Sequence, residues 1–510
     1  MTGKHLRRTG VVTALAASLV SVTACGGGGG SNALDEDVSR LTVMVQLLGQ
    51  APAEDGYVWR HVEEFAGVEL DIDFAPASNY RDRLTTTIAS GDIPALLVTD
   101  AKEPTFTQAA RAGAFWDLTE RIRDYPNLLP AEADLRDSMV NGVLYGVPQW
   151  SQPIRGTVMF REDWLANLGL DVPETTDELH EVARAFTEDD PDGNGQDDTY
   201  GLIMASWSPL EAVTPYAQLE SWFGAPNGWG EVDGELVPSF TTEEFFEANR
   251  FLRGMVEDGL VNPGFATFDG LRWNDVFVNG EGGIIIDVSN RPRDLMNAFE
   301  QRDPGHGGDY VTATGSLLGP DGERRALFNH TGSVVAISRS AVPTEEMLDR
   351  VLSVLDRLAS PEGQLLTRNG VEGETFTEVD GYAQPVQETN EDRTIQSDLS
   401  AFTLWQSGAG EQHWLPTRAA GAPMRQLVAT IEAAAEVDAE HAVRNPAYPY
   451  FSEVQAQRGA QLGLIVTDAR MKYLSGVISE DEFRAEIDRW FDEGGQDIVD
   501  DINELHGQAN

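Results

Sequence analysis

The chain has 510 residues, with 36 basic and 84 acidic side chains, a formal net charge of −48 and a single cysteine. So acidic a surface repels nucleic acid and anionic lipid, and one cysteine excludes a disulfide framework. The length suffices for two large lobes.

In chain order, the first element is a leader over residues 1–24. Lys4, Arg7 and Arg8 form a basic start, residues 11–20 an apolar stretch too short to span a membrane, and small residues precede Cys25. Cys25 stands where such a leader is cut, which marks it as a lipid-carrying thiol. The glycines at 26–30 open a flexible tether over 25–38. Cutting ahead of Cys25 leaves 33 basic against 84 acidic side chains, a formal charge of −51, with Lys102 and Lys472 as the remaining lysines. Such a surface suits a saline medium.

Beyond the tether, short apolar runs alternate with amphipathic stretches, the pattern of an α/β protein. LTVMVQLL (41–48) predicts a strand, residues 57–66 a helix, and Val68, Leu70, Ile72 and Phe74 a second strand by strict alternation. ALLVTD (95–100) reads as a buried strand opening onto a crevice at its Asp end. A helix carrying Leu179, Val182, Ala183 and Phe186 leads into EDDPDGNGQDDTYG (188–201), and Tyr200 begins a strand. GGIIIDVS (282–289) and SVVAIS (333–338) are further buried strands. The last feeds a helix from near Thr344, with Met347, Leu348, Val351, Leu352, Leu355 and Leu358 on one face. Finally, Ser479 and Glu482 form a capping box ahead of Phe483, Ile487, Trp490 and Phe491, a stripe that stops at Gly494 and Gly495.

Two features carry chemistry. In the 188–201 stretch, Asp190, Asp192 and Asn194 take positions 1, 3 and 5 of a calcium loop, Gly195 position 6, the Gln196 carbonyl position 7 and Asp198 position 9. Position 12 is Gly201 instead of a bidentate Glu, and a strand instead of a helix follows, so a calcium sensor is excluded. A structural calcium staple remains, against the plainer reading of a solvated Asp/Gly turn. The second feature is the set of eleven tryptophans. Trp150, Trp207, Trp222, Trp229, Trp273, Trp405 and Trp414 stand beside Gly, Pro or polar residues. An indole face takes the C–H face of a sugar ring while its N–H hydrogen-bonds, although core packing explains any one of them alone. Catalytic motifs are sparse: H-E-x-x-H, G-x-S-x-G and the phosphate-binding loop do not occur. A two-carboxylate glycosidase leaves no diagnostic spacing.

The stretch from NGVLYGVPQW to DPDGNGQDDTYGL (141–202) resembles the extracellular solute-binding proteins of bacterial ABC importers, in their large oligosaccharide-binding lipoprotein branch. TTIASGDIPALLVTD (86–100), NGVEGETFTEVDGYA (369–383) and residues 471–503 carry the same likeness. The resemblance implies a two-lobed periplasmic-binding-protein-like α/β fold of type II that closes on its ligand. Lobe 1 would comprise 39–148 plus 325–362 and lobe 2 149–324 plus 363–506, with crossings near Pro148, Ala326 and Ser360. It implies calcium at Asp190, Asp192, Asn194, Gln196 and Asp198, with Thr199 where tighter-binding relatives carry an acidic residue. Strand ends and crossing segments nominate Gln46, Asp100, Gln149, Trp150, Arg155, Ser289, Asn290, His330 and Trp405 as ligand-binding, with Trp207, Trp222 and Trp273 as stacking faces. The expected activity is carbohydrate capture for the membrane subunits of an ABC permease, without catalysis and without a redox or nucleotide cofactor. The receptor would be a monomer, anchored outside the cell by lipid on Cys25. A secreted glycoside hydrolase and a surface sensory or adhesion module are the rival readings, and a peptide is the alternative ligand.

Overall fold

The computed structural model describes residues 34–47, 51–52, 56–207, 213–330, 332–386, 395, 398–399, 401–402, 413–417 and 422–509. Cys25 and Trp405 lie outside them. In chain order, the strands of the two main sheets are β1 (Arg40–Leu47), β2 (Glu69–Pro76), β3 (Leu96–Asp100), β4 (Val147–Pro148), β5 (Gly156–Arg161), β6 (Tyr200–Leu202), β7 (Gly282–Val288), β8 (Val311–Thr314) and β9 (Ser333–Ile337). The first sheet runs β2-β1-β3-β9-β4, and the second β8-β5-β7-β6. β1 is parallel to β2 and β3, whereas β9 returns antiparallel between β3 and β4. In the second sheet β5 is antiparallel to both neighbours and β6 parallel to β7.

The near-continuous apolar runs are explained by burial on both faces. In β1, Leu41, Val43 and Val45 enter one core and Met44 the opposite one; in β9, Val335 and Ile337 part from Val334 and Ala336 in the same way. In the second sheet Val158, Phe160, Ile284 and Ile286 face one core, Met159 and Ile285 the other. Each such aliphatic side chain contributes roughly 1.5–3 kcal/mol when fully buried, so a one-residue slip in any strand is costly.

The helices follow their caps. Tyr57–Ala66 ends at Gly67, whose left-handed φ of 75° lets its N–H reach the Glu63 carbonyl. Thr175 and Glu178 close a capping box at the head of Thr176–Glu188, which buries Leu179, Val182, Ala183 and Phe186. Glu345–Leu358 is capped by Thr344 and buries all six of its expected apolar residues. Ser479 and Glu482 box the start of Glu480–Trp490. That helix does not end the chain's helical structure at the two glycines. Gly494 kinks it at φ 115°, and a further helix runs Gln496–Ala509. At Gly495 a Cβ would stand 2.1 Å from the Trp490 ring, so the kink and the close packing need both glycines.

Three connections join the sheets. The first runs from Pro148 in β4 to Gly156 in β5, and the second passes Ala326–Leu327, paired with Ala442–Val443, on the way to β9. The third falls later than Ser360. Pro361–Asn369 packs on Glu345–Leu358 and Tyr57–Ala66, and Leu399 and Phe402 lie in the first sheet's core, while Leu427 and Ile431 of Ala422–Ala439 lie in the second's. Residues 34–38 are likewise fastened instead of free: the Leu34 N–H donates to the Ala341 carbonyl at 3.1 Å and Val38 is buried. Among the described residues no helix is long and apolar enough to cross a membrane.

Candidate functional site

The strand ends that meet between the sheets carry most of the nominated residues. Asp100 closes β3 and accepts the Lys102 N–H at 2.7 Å, and Gln46 is exposed near the end of β1. Arg155 precedes β5. Its carbonyl accepts the Ser289 N–H at 2.8 Å, and its guanidinium reaches Asn290 Oδ1 at 3.5 Å. Ser289 Oγ donates to Gln152 at 3.3 Å. Trp150 is half-buried and meets Trp414 edge-on at 5.1 Å, and the Arg368 guanidinium lies 4.4 Å over Trp414.

A cavity of about 610 Å³ opens beside these ends, within the usual range for a small-molecule site. Of the nominated residues it gathers Asp100, Trp207 and His330. Gln46, Gln149, Trp150, Arg155, Ser289 and Asn290 do not line it. Facing Asp100 are residues that the sequence reading left out: Tyr216, Asn445, Tyr448, Gln455 and Arg470, together with Trp229, whose setting had been noted but not its position. The segment Asn445–Tyr450 mixes aromatic, Pro and amide residues outside any helix. The criterion applied to the tryptophans alone therefore fits it equally well.

The structure corrects several assignments. Trp222 and Trp273 are 1% and 0% exposed, in the two cores of the second sheet, so neither has a face open to a sugar. Trp273 instead backs Trp207, with ring centroids 5.1 Å apart. Gln149 is buried and tied to β9, its N–H donating to the Ser333 carbonyl at 3.0 Å and its Oε1 accepting the Ser333 hydroxyl. His330 borders the cavity with both ring nitrogens engaged. Nδ1 donates to Asp137 at 2.7 Å, and Nε2 accepts the Asn445 N–H at 2.8 Å, which places the proton on Nδ1. Its ring stacks on Tyr448 at 4.4 Å and offers a ligand its edge only.

The charges of Glu220, Arg470, Arg444, Asp134 and Asp137 around the cavity are paired. Arg470 meets Glu220 at 2.8 Å, and Asn249 Nδ2 donates to the same carboxylate at 3.2 Å. Burial pushes the Glu220 carboxyl up, while Arg470 and Asn249 hold it down. Arg444 bridges Asp134 and Asp137 at 2.7 and 2.8 Å and lies 3.6 Å over the Phe328 ring. Lys102 Nζ donates to the Asp137 carbonyl at 2.6 Å and stands 4.1 Å over the Tyr448 ring. Burial pushes this ammonium down to about 8, against the pull of Asp100 and Asp137.

The 190–198 loop folds on itself. Asp190 takes a left-handed φ of 49°, and its Oδ2 accepts the Gly195 N–H at 3.0 Å. Asn194 donates to Asp192 at 2.8 Å and to Asp198 at 3.3 Å, and the Gln196 N–H donates to Asn194 Oδ1 at 2.7 Å. Asp190 Oδ1 is buried without a hydrogen-bond partner, an arrangement that a hard cation would satisfy. Among the described residues no three His, Cys, Asp or Glu side chains group to hold a metal by themselves, so the set depends on Asn194 and the Gln196 carbonyl. Position 12 has no room for a ligand: a Cβ on Gly201 would stand 2.4 Å from the Ala183 carbonyl oxygen. Thr199 turns inward, its hydroxyl donating to the Phe186 carbonyl at 2.8 Å.

This architecture has close counterparts. The bacterial extracellular solute-binding protein family matches residues 50–365. Lipoprotein LipO of Bacillus subtilis (strain 168) is 34% identical, covering 98% of this chain and 99% of its own. The polygalacturonan/rhamnogalacturonan-binding protein YtcQ of the same organism is 31% identical over 92% of each chain. Among solved structures, an HMO-binding, ABC-transporter-associated solute-binding protein from Bifidobacterium longum infantis superposes with a TM-score of 0.69 at 17% identity, covering 92% of this chain and 98% of its own. The fold is thus the two-lobed α/β fold of periplasmic-binding-protein-like receptors. The chain belongs to the bacterial extracellular solute-binding protein family.

Proposed function

We propose that this chain captures an oligosaccharide outside the cell and delivers it, unaltered, to the membrane subunits of an ABC permease. The observation that carries the reading is the cavity of about 610 Å³ beside the strand ends, where Asp100, Trp207 and Trp229 combine an acceptor carboxylate with aromatic groups. Polyhydroxylated rings need both kinds of group. Relatives named for binding polygalacturonan, rhamnogalacturonan and HMO support the same class of ligand.

In this reading each main sheet founds one lobe. Arg155, Ser289, Asn290, Trp150 and Gln46 form the rim that meets the ligand as the lobes close, and the closed form is the one the permease recognises. The receptor acts as a monomer, held at the outer face of the membrane by lipid on Cys25. The relation to a lipoprotein supports that anchor. Calcium in the 190–198 loop is a staple between the helix Thr176–Glu188 and β6, supported by the partnerless Asp190 oxygen. It would supply charge neutralisation and no chemistry on the sugar. Calorimetric titration of purified protein with oligosaccharides, followed by chromatography of the recovered sugar, tests the reading. Saturable binding with intact sugar is expected, and cleaved sugar or a peptide as the only ligand would contradict it.

A further inference from the structure

A second cavity, of about 230 Å³, adjoins the first and shares four lining residues with it: Trp229, Asn445, Tyr448 and Gln455. Each of the four carries a polar group that bonds to no other described residue. The Trp229 indole N–H, the Tyr448 hydroxyl and the Gln455 side-chain amide are uncommitted; Asn445 uses its Oδ1 on the Ala447 N–H at 2.9 Å and leaves Nδ2 free. Trp229 is buried and Asn445 and Tyr448 are half-buried, where polar groups ordinarily find partners, and Gln455 is exposed at the same opening. Ala447, Tyr450, Phe451 and Ala456 give the wall an apolar and aromatic part, and Ser452 accepts the Gln455 N–H on its hydroxyl oxygen at 3.0 Å. In a chain with 84 acidic residues, no carboxylate lines this second cavity, and its one charge is the Lys102 ammonium.

From this we infer that the second cavity is a further glycosyl subsite, entered through the Trp229–Asn445–Tyr448–Gln455 opening, so that the receptor prefers a chain or branch longer than the first cavity holds. The inference rests on the carbohydrate reading above. Donors and acceptors around the opening match a ring's hydroxyl groups, and the aromatic wall takes its C–H face. An acidic or neutral unit fits, since the only charge present is positive.

The test is calorimetric affinity for two length ladders, inulin-type fructooligosaccharides and oligogalacturonides, each from disaccharide to hexamer. Wild-type chain should show a stepwise gain of about tenfold once a sugar is long enough to enter the second cavity. Ala456 lines that cavity alone, so Ala456→Leu should erase the step and leave the short members bound as before. Tyr448→Phe and Gln455→Ala should weaken the long members more than the short ones, with melting temperatures checked for each variant. A wild type without the step, or an Ala456→Leu variant that keeps it, overturns the subsite while the carbohydrate reading stands. A wild type that binds neither ladder overturns the subsite as proposed, and one that binds no oligosaccharide of the wider calorimetric series overturns the carbohydrate reading as well.

Discussion

Glu220 and Arg470 face each other at 2.8 Å in the wall of the cavity, largely buried and joined by one further hydrogen bond from Asn249. A buried pair of this kind is most sensitive to losing one member, because the partner is then left charged and desolvated. Arg470→Met should therefore cost about 3–5 kcal/mol in denaturant unfolding. The double variant with Glu220→Gln should recover much of that loss. Equal losses in the single and double variants would show that the pair is not coupled.

Lys102 gives the stability a pH dependence of definite sign. Its folded pKa is about 8, below the ordinary 10.5, so between these values the unfolded chain binds the extra proton. Stability contributed by this group therefore rises as pH climbs from 8 towards 10.5 and is lowest below 8. Lys102→Met removes the dependence. The stability difference between wild type and variant should shift in favour of wild type between pH 8 and 10, and a pH-independent difference would argue against a desolvated amine. Tyr448 in the same site has its hydroxyl pushed up by burial, and the ionisation of this tyrosine in the unfolded chain is common to wild type and variant, so it cancels in the difference.

The calcium staple predicts that EGTA lowers the melting temperature of the wild type and leaves that of Asp190→Ala unchanged. At a hundredfold excess over Kd, calcium should add about 2.7 kcal/mol to the wild type. Supplying the missing ligand as Gly201→Glu should destabilise instead of tightening binding. The new Cβ would press on the Ala183 backbone at 2.4 Å, and such overpacking costs typically 1–3 kcal/mol. Calcium titration followed by thermal unfolding checks both.

Trp207 and Trp273 should separate cleanly. Trp207 borders the cavity, so Trp207→Ala should lower sugar affinity about tenfold, roughly 1.4 kcal/mol, with a modest effect on stability. Trp273 is sealed in the core, so Trp273→Ala should cost about 3–5 kcal/mol of stability. The reverse pattern would place the sugar elsewhere.

Much of this fold was legible because local chemistry and tertiary demand agree. The strand Gly282–Val288 and the capping box at Ser479 are where periodicity and caps place them. Trp222 and Trp273 misled because a tryptophan beside polar neighbours in sequence says nothing of which side of a sheet it meets. Leu399 and Phe402 return to the first sheet's core through a long-range contact that leaves no local signature, which is why the third connection was placed too early. The cavity wall from Asn445 to Gln455 was missed for a related reason. Ala447 packs in the second sheet's core and Phe451 in the first's, and only the folded chain shows that so short a segment touches both.

The central claim is that two lobes close around a sugar and release it intact. Small-angle scattering of the purified chain, with and without the oligosaccharide that calorimetry identifies as its tightest ligand, tests this most directly. A smaller radius of gyration on binding, with the sugar recovered whole, is the predicted result. An unchanged radius at saturating sugar would contradict it.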